Sequence, residues 1–231
     1  MTDSETGQAI VIGASGGIGS ALVEALAVQG WTVTGLSRRS DPPLDLLDEA
    51  SIAAAAETFK TADPPVRLII DATGFLHDED FSPERSLREL DPEHFARAFA
   101  LNATGPALLM KHFLPLLPRQ GRSVFATLSA RVGSISDNRL GGWHAYRASK
   151  AALNQILLSV SIEMKRRKPE AICIALHPGT VDTRLSDPFS KSGLDVRPPD
   201  EAAQDLLTVI AGLSADDSGG FRDHKGALIE F

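Results

Sequence analysis

One tyrosine occurs in the 231 residues, and it stands four positions before a lysine, in Tyr146-Arg147-Ala148-Ser149-Lys150. On a helix the two share a face. A free phenol has a pKa of about 10, too high for a ready base at neutral pH. A nearby ammonium favours the phenolate and predicts a lower pKa. Such a pair is a general acid/base, able to give a proton to a carbonyl oxygen or take one from an alcohol. Ser129 follows the apolar run Ser123–Leu128. If that run is a strand, Ser129 lies at its C-terminal end, where open α/β sheets bind ligands, and its hydroxyl can hydrogen-bond the reacting oxygen. Taken singly, these residues have plainer readings: Tyr-x-x-x-Lys arises by chance, and a serine often ends a strand.

A second group of residues suits a phosphate-bearing ligand. Ile12-Gly13-Ala14-Ser15-Gly16-Gly17-Ile18-Gly19 separates the apolar run Gln8–Ile12 from residues at helical spacing, Ile18, Leu22, Ala25 and Leu26. Glycines there permit a tight turn and let backbone amides approach a pyrophosphate, which the following helix N-terminus favours. The spacing fits both G-x-x-x-G-x-G (Gly13, Gly17, Gly19) and G-x-x-G-x-x-G (Gly13, Gly16, Gly19). The next apolar run ends in Ser37-Arg38-Arg39. Folds that take NAD carry an acid near this point for the ribose 2′-hydroxyl. Here two guanidiniums stand instead, and arginine grips phosphate with paired hydrogen bonds. NADP(H) is therefore favoured over NAD(H). The plainer reading leaves one or both arginines solvated, or paired with Asp41.

These groups need a scaffold, and the hydrophobic pattern supplies one. Strands are expected at Gln8–Ile12, Trp31–Leu36, Leu44–Leu47, Val66–Ile70, Ser123–Leu128, Ala171–Leu176 and Gly226–Phe231. Helices are expected from the glycine turn to Gly30, and at Ser51–Lys60, Pro92–Leu117, Tyr146–Arg167 and Glu201–Ala211. Pro106 lies inside the third of these and should kink it. Strand and helix alternate, and the strands read as continuous apolar runs. The expected fold is α/β: a single-domain, doubly wound, Rossmann-like parallel sheet over residues 1–231, with helices on both faces.

Composition removes other classes. Lys+Arg 23 against Asp+Glu 30 gives a net charge of -7, unsuited to a nucleic-acid or anionic-membrane binder. One cysteine rules out an intrachain disulfide framework and a multi-cysteine metal site. Cys173 lies in an apolar run and reads as a buried structural thiol. Residues 1–7 carry no basic leader, and no stretch reaches 18 uninterrupted apolar residues, so a cytoplasmic protein is expected.

The motifs taken in order resemble those of the short-chain dehydrogenase/reductase family. They are the glycine turn, Asp71-Ala72-Thr73-Gly74, Asn102 in Leu101-Asn102-Ala103-Thr104-Gly105, Ser129, Tyr146-x-x-x-Lys150 and Pro178-Gly179-Thr180-Val181-Asp182-Thr183. Within the family the chain is most similar to small bacterial members resembling the C-factor cell-signalling protein. The resemblance implies roles. Tyr146 is the acid/base, Lys150 lowers its pKa and holds the nicotinamide ribose, and Ser129 orients the substrate carbonyl. Asn102 bends its helix and supports a water linking Lys150 to solvent. Gly13, Ser15, Gly17 and Ile18 take the pyrophosphate, and Arg38 and Arg39 the 2′-phosphate. Asp45 and Leu46 flank the adenine, and Ala72 and Gly74 line the adenosine side. Pro178, Val181 and Thr183 hold the carboxamide and phosphate. The resemblance also implies a homodimer or homotetramer built on the Pro92–Leu117 and Tyr146–Arg167 helices, and a short lid over about 184–199. Only about 50 residues follow Val181, too few for the added domain of the sugar-nucleotide epimerase branch, so the compact reductase branch is expected.

Some positions depart from the family. Ile12 replaces the usual Thr, Asp71-Ala72-Thr73-Gly74 replaces Asn-Asn-Ala-Gly, and Arg39 to Leu44 is too short for a helix. The Ser129–Tyr146 interval is about four residues longer than usual, with the insertion expected in Gly133–Trp143. Other features have bland readings: His144 and His177 as structural histidines, His77-Asp78-Glu79-Asp80 as a solvated loop with no metal, and Arg131 as an ion pair as readily as a substrate contact. Trp143, Phe75, Leu185 and Phe189 could wall an apolar pocket. The function expected is NADP(H)-dependent hydride transfer between nicotinamide and a small-molecule carbonyl or secondary alcohol, with no nucleic-acid or membrane partner. The rival is an NADP-binding sensor with little turnover.

Overall fold

The computed structural model describes residues 7–186 and 196–231. Residues 1–6 and 187–195, including Phe189 and most of the expected lid, lie outside the described residues. Six described strands form one parallel sheet in the order β2-β1-β3-β4-β5-β8. They are β1 Gln8–Ile12, β2 Thr32–Leu36, β3 Val66–Asp71, β4 Ser123–Leu128, β5 Ala171–His177 and β8 Phe221–Asp223. A separate two-stranded pair joins β6 Thr180–Val181 to β7 Val196–Arg197. The helices are α1 Gly17–Val28, α2 Glu49–Glu57, α3 Pro92–Phe99, α4 Gly105–Phe113, α5 His144–Arg167 and α6 Pro199–Gly212.

The pleat explains why the strands carry unbroken apolar runs. Alternate residues point to opposite faces, and each face has its own core. Ile10, Ile12, Phe125, Cys173 and Ala175 pack with α2, α4 and α5 side chains such as Ile52, Leu109, Phe113, Leu153 and Leu157. Their neighbours Ala9, Val11, Val124, Ala126, Ile172 and Ile174 pack with Leu22 and Leu26 of α1 and Leu206 and Ile210 of α6. Cys173 is fully buried, and burial pushes its thiol up to about 12. This is the doubly wound sheet expected. β2 and β3 flank β1 on opposite sides, so the chain reverses its winding beside β1 and leaves a crevice at the strand ends there.

Two expected strands are absent. Leu44–Leu47 turns instead of pairing. The Asp45 carboxylate accepts from Leu47 N (3.0 Å), Ser51 Oγ takes Asp45 N (2.9 Å), and Leu44 N bonds back to Ser37 O (2.9 Å). With its amides occupied locally, the segment cannot extend the sheet. Leu44 is buried in the core, whereas Leu47 is exposed. Gly226–Phe231 is likewise not the last sheet strand. That place belongs to Phe221–Asp223, beside β5. Gly226, at φ 82°, turns the chain back so that Leu228 makes a single antiparallel bridge to Arg222 and Phe231 stacks on Phe221.

The expected Pro92–Leu117 helix is interrupted before Pro106. A π-helical turn, Ala100–Thr104, separates α3 from α4, and Pro106 falls in the first turn of α4. Proline has no N–H to give the carbonyl four residues back, here that of Asn102, and its ring crowds it. The backbone widens just upstream, and Asn102 sits within that turn.

Candidate active site

Tyr146, Lys150 and a third residue, Asn154, lie at successive fourth positions on α5 and are all buried. Lys150 Nζ donates to Leu128 O (2.8 Å), the residue before Ser129, and stands 6.0 Å from the Tyr146 ring centre. Ser129 is tied to the sheet by its amide, which donates to Leu176 O (2.8 Å), and its Oγ donates to Asn154 Oδ1 (2.7 Å). Phenol, ammonium and hydroxyl are thus held by one helix face and the C-terminal end of β4. Sequence reading missed Asn154, although the four-residue spacing after Lys150 was available as a signal.

Burial sets the charge states here. It raises the Tyr146 pKa above the ordinary phenol value and lowers Lys150 to about 8, against which the Asp71 carboxylate raises it. The net outcome differs from the lower Tyr146 pKa that was expected: burial in a low-dielectric site outweighs the Lys150 ammonium, which bonds a carbonyl, and leaves the phenol pKa raised. The phenol is proton-bearing at neutral pH.

Asn102 is fully buried, and its side chain is committed to structure. Oδ1 accepts from Phe75 N (2.8 Å), while Nδ2 donates to Phe75 O (2.7 Å) and Ser149 Oγ (3.1 Å). Ser149 Oγ in turn donates to Tyr146 O (2.9 Å). The π turn therefore clamps the loop after β3 to α5. Asp71, at the end of β3, accepts from Thr73 Oγ1 (2.6 Å), Thr73 N (3.0 Å) and Thr127 Oγ1 (2.7 Å), fixing the turn that carries Ala72 and Gly74.

The glycine turn meets the other predicted binding residues. Gly13, at φ 84°, abuts Ala72, whose backbone carbonyl a Cβ would meet at 3.0 Å. A Cβ on Gly17 would meet the Thr183 methyl at 2.8 Å, which brings the turn against the segment after Pro178-Gly179. Gly74 lies beside Lys150 Nζ (3.8 Å from a built Cβ), and Leu46 packs on Gly105. Val181 is buried on β6, and Ser15 and Gly17 are exposed at the turn, with Ile18 partly so. Arg38 and Arg39 lie exposed just past β2, and among the described residues neither forms an ion pair, with Asp41 or any other acid. Arg131 pairs with Asp137 (3.3 Å) and Asp223 (3.2 Å), and Asp78 with Arg97 (3.2 Å).

Comparison with known proteins gives the family. A family model described as enoyl-(acyl carrier protein) reductase, of the short-chain dehydrogenase/reductase type, matches residues 13–197. The chain belongs to the short-chain dehydrogenase/reductase family, oxidoreductases acting on CH–OH and C=O groups with a nicotinamide cofactor. It is 35% identical over 145 residues to the C-signal protein of Myxococcus xanthus, covering 62% of this chain and 82% of the relative. It is 26% identical to 1-hydroxy-2-glutathionyl-2-methyl-3-butene dehydrogenase of Rhodococcus sp. strain AD45, over 96% of this chain and 98% of that one. Its fold superposes on an NADPH-bound carbonyl reductase from chicken fatty liver with a TM-score of 0.84 and 25% identity, covering 98% and 100% of the two chains.

The residues present fit such a cofactor. Helix α1 has Gly16 as its N-cap, no side-chain cap and no acid in its first turn, so its leading amides meet no competing carboxylate. Gly19 permits the close approach of helix and turn: a Cβ there would stand 2.2 Å from Gly13 O.

Proposed function

We propose that the protein is an NADP(H)-dependent oxidoreductase that interconverts a small-molecule carbonyl and a secondary alcohol, with Tyr146 as general acid/base. The observation that carries this reading is the placement of Tyr146, Lys150 and Ser129 about the end of β4, with Gly74 beside the Lys150 ammonium and the glycine turn one strand further on. Bound there, the cofactor supplies or accepts hydride. In the reducing direction Ser129 Oγ turns from Asn154 to the carbonyl oxygen, and the neutral phenol of Tyr146 delivers the proton to that oxygen. Lys150, charged at neutral pH, stabilises the phenolate left behind and holds the nicotinamide ribose. Asn102 acts through its clamp on Phe75 and Ser149, and its main chain in the π turn supports the water linking Lys150 to solvent.

Gly13, Ser15, Gly17 and Ile18 receive the pyrophosphate, Asp45, Leu46, Ala72 and Gly74 flank the adenosine, and Pro178, Val181 and Thr183 hold the carboxamide side. Preference for NADP(H) rests on Arg38 and Arg39, exposed at the end of β2 and without an ion pair among the described residues, where an acid would repel a 2′-phosphate. The chain works as one cytoplasmic domain, in a homodimer or homotetramer built on the α3–α4 and α5 helices. Among the described residues no helix is long and apolar enough to cross a membrane.

The test is turnover with NADPH and a panel of aldehydes and ketones. Tyr146→Phe is expected to lower kcat/KM by about a hundredfold to ten-thousandfold while leaving NADPH affinity in place. Full activity in that variant would refute the mechanism, and tight NADPH binding without turnover of any carbonyl would return the sensor reading. Arg38→Ala should weaken NADPH by about tenfold to a hundredfold, the worth of a charged hydrogen bond, and NADH hardly at all. Equal losses for both would refute the 2′-phosphate assignment.

A further inference from the structure

Helix α5 starts without a local cap. Its N-cap residue is Trp143, which has no acceptor on its side chain, and the first turn holds no acid. The missing acceptors come from a residue 59 positions earlier in the chain. Glu84 O accepts from Trp143 N, and Glu84 Oε2 accepts from Ala145 N (3.2 Å). The Glu84 side chain is 1% exposed, and its other oxygen stands 3.2 Å from His94 Nδ1. His94, also buried, lies between Phe81, stacked at 5.1 Å, and Phe75, edge-on at 6.1 Å. Its own amide is bonded to Asp91 at the start of α3. A carboxylate facing a helix N-terminus is favourably placed, and its neighbours hold it from behind.

What this anchor holds is unusual. Trp143 has φ 51° and ψ 45°, and among the described residues it is the sole non-glycine with positive φ. Gly141 (φ 64°) and Gly142 (φ 66°) precede it in the same region, so three consecutive left-handed residues lead into the catalytic helix. A bulky side chain adopts that conformation only where its surroundings enforce it. The outcome is an indole set edge-on against the phenol of Tyr146, with ring centres 6.2 Å apart at 68°. This junction closes the connection between Ser129 and Tyr146, where an insertion was expected.

We infer that Glu84 is a positioning residue: it pins the left-handed junction Gly141–Trp143 to the start of α5, and so holds Trp143 as a fixed apolar wall beside the catalytic phenol. The inference rests on the carbonyl reductase reading of the site, and it adds a substrate class, carbonyls bearing an aromatic or extended apolar group that packs on the indole. Glu84 does not touch the reacting atoms. Losing it leaves the cofactor turn and the acid/base in place and loosens one side of the pocket.

The experiment uses the full chain in a Trp31→Phe background, where Trp143 is the sole tryptophan. Glu84→Ala is expected to raise acrylamide quenching of the Trp143 emission toward that of an exposed indole. It should also lower the kcat/KM ratio for benzaldehyde over propanal by about tenfold, with NADPH affinity unchanged. Glu84→Gln, which keeps an acceptor for Ala145 N, should restore both. Gly142→Ala strains the same junction while keeping the Glu84 side chain, since position 142 has φ 66° and its new Cβ would stand 3.4 Å from Glu84 O; it serves if Glu84→Ala does not fold. Quenching and aldehyde ratio unchanged in the folded variants would overturn the inference. So would an equal fall in both aldehydes with quenching unchanged. If the parent reduces neither aldehyde, the quenching comparison alone decides whether Glu84 holds Trp143, and the ketones of the panel decide the reductase reading.

Discussion

At Tyr146 and Lys150 the same burial acts in opposite directions on two groups of opposite charge type. It keeps the phenol protonated, the form that can donate to a carbonyl oxygen, and it brings the ammonium to about 8. Lys150 is charged below that value and neutral above it. Reduction that uses its charge should fall as pH rises through about 8. Asp71 raises the Lys150 pKa by its negative charge, so Asp71→Asn should move the alkaline limb of kcat/KM to lower pH. Profiles of both proteins between about pH 6 and about pH 10 measure this; coincident limbs would show that Asp71 is not felt at Lys150. The acid/base pair was legible in the sequence because a four-residue spacing on a helix carries its own geometry. The charge states were not, because they depend on how much water β4 and α5 exclude. Asn154 shares the helix face of Tyr146 and Lys150, so its position was readable, but its bond to Ser129, 25 residues away, was not. Glu84 left no local signal: Ala145 is 61 residues away in the chain, and no spacing rule reaches that far.

Between residue and molecule, the elements show where pattern is informative and where it misleads. The parallel strands β1, β3, β4 and β5 were readable, since each must be apolar on both faces. Leu44–Leu47 had the same apolar character but turned, because Asp45 and Ser51 satisfy its amides locally. The break in the long helix was expected at Pro106, yet the widened turn lies at Ala100–Thr104, where the carbonyl that Pro106 cannot serve is located. The glycines can be ranked by what a side chain would meet. Gly19→Ala drives a methyl against backbone, at 2.2 Å from Gly13 O, whereas Gly17→Ala meets the movable Thr183 methyl at 2.8 Å. Gly19→Ala should therefore destabilise by about 1–3 kcal/mol and abolish NADPH binding together with the turn. Gly17→Ala should cost less stability and mainly weaken NADPH. Urea unfolding and NADPH titration of both variants check the ranking; equal stability losses would refute it.

Across the whole molecule, the binding residues Gly13 to Leu46 come from β1, β2 and the turns after them, while the acid/base comes from β4 and α5. The sheet order places β3 between the two groups, which is why Ala72 meets Gly13 while Asp71 bonds Thr127 of β4 and Gly74 lies beside Lys150. Neither group is complete without the other, and the sheet that joins them is interleaved through both cores. Cys173 sits in the middle of it, fully buried, with its amide held by Ser218 Oγ and its carbonyl by Gly219 N. A thiol reagent can reach that sulfur only when the sheet itself opens. Because the chain has one cysteine, the labelling rate of the native protein is a clock for global opening, free of any second signal. A ligand that binds only the native state stabilises it by about 2.7 kcal/mol at a hundred times its Kd. Saturating NADPH should then slow labelling by about a hundredfold, which yields the cofactor's affinity from the chemistry of a residue that never meets it.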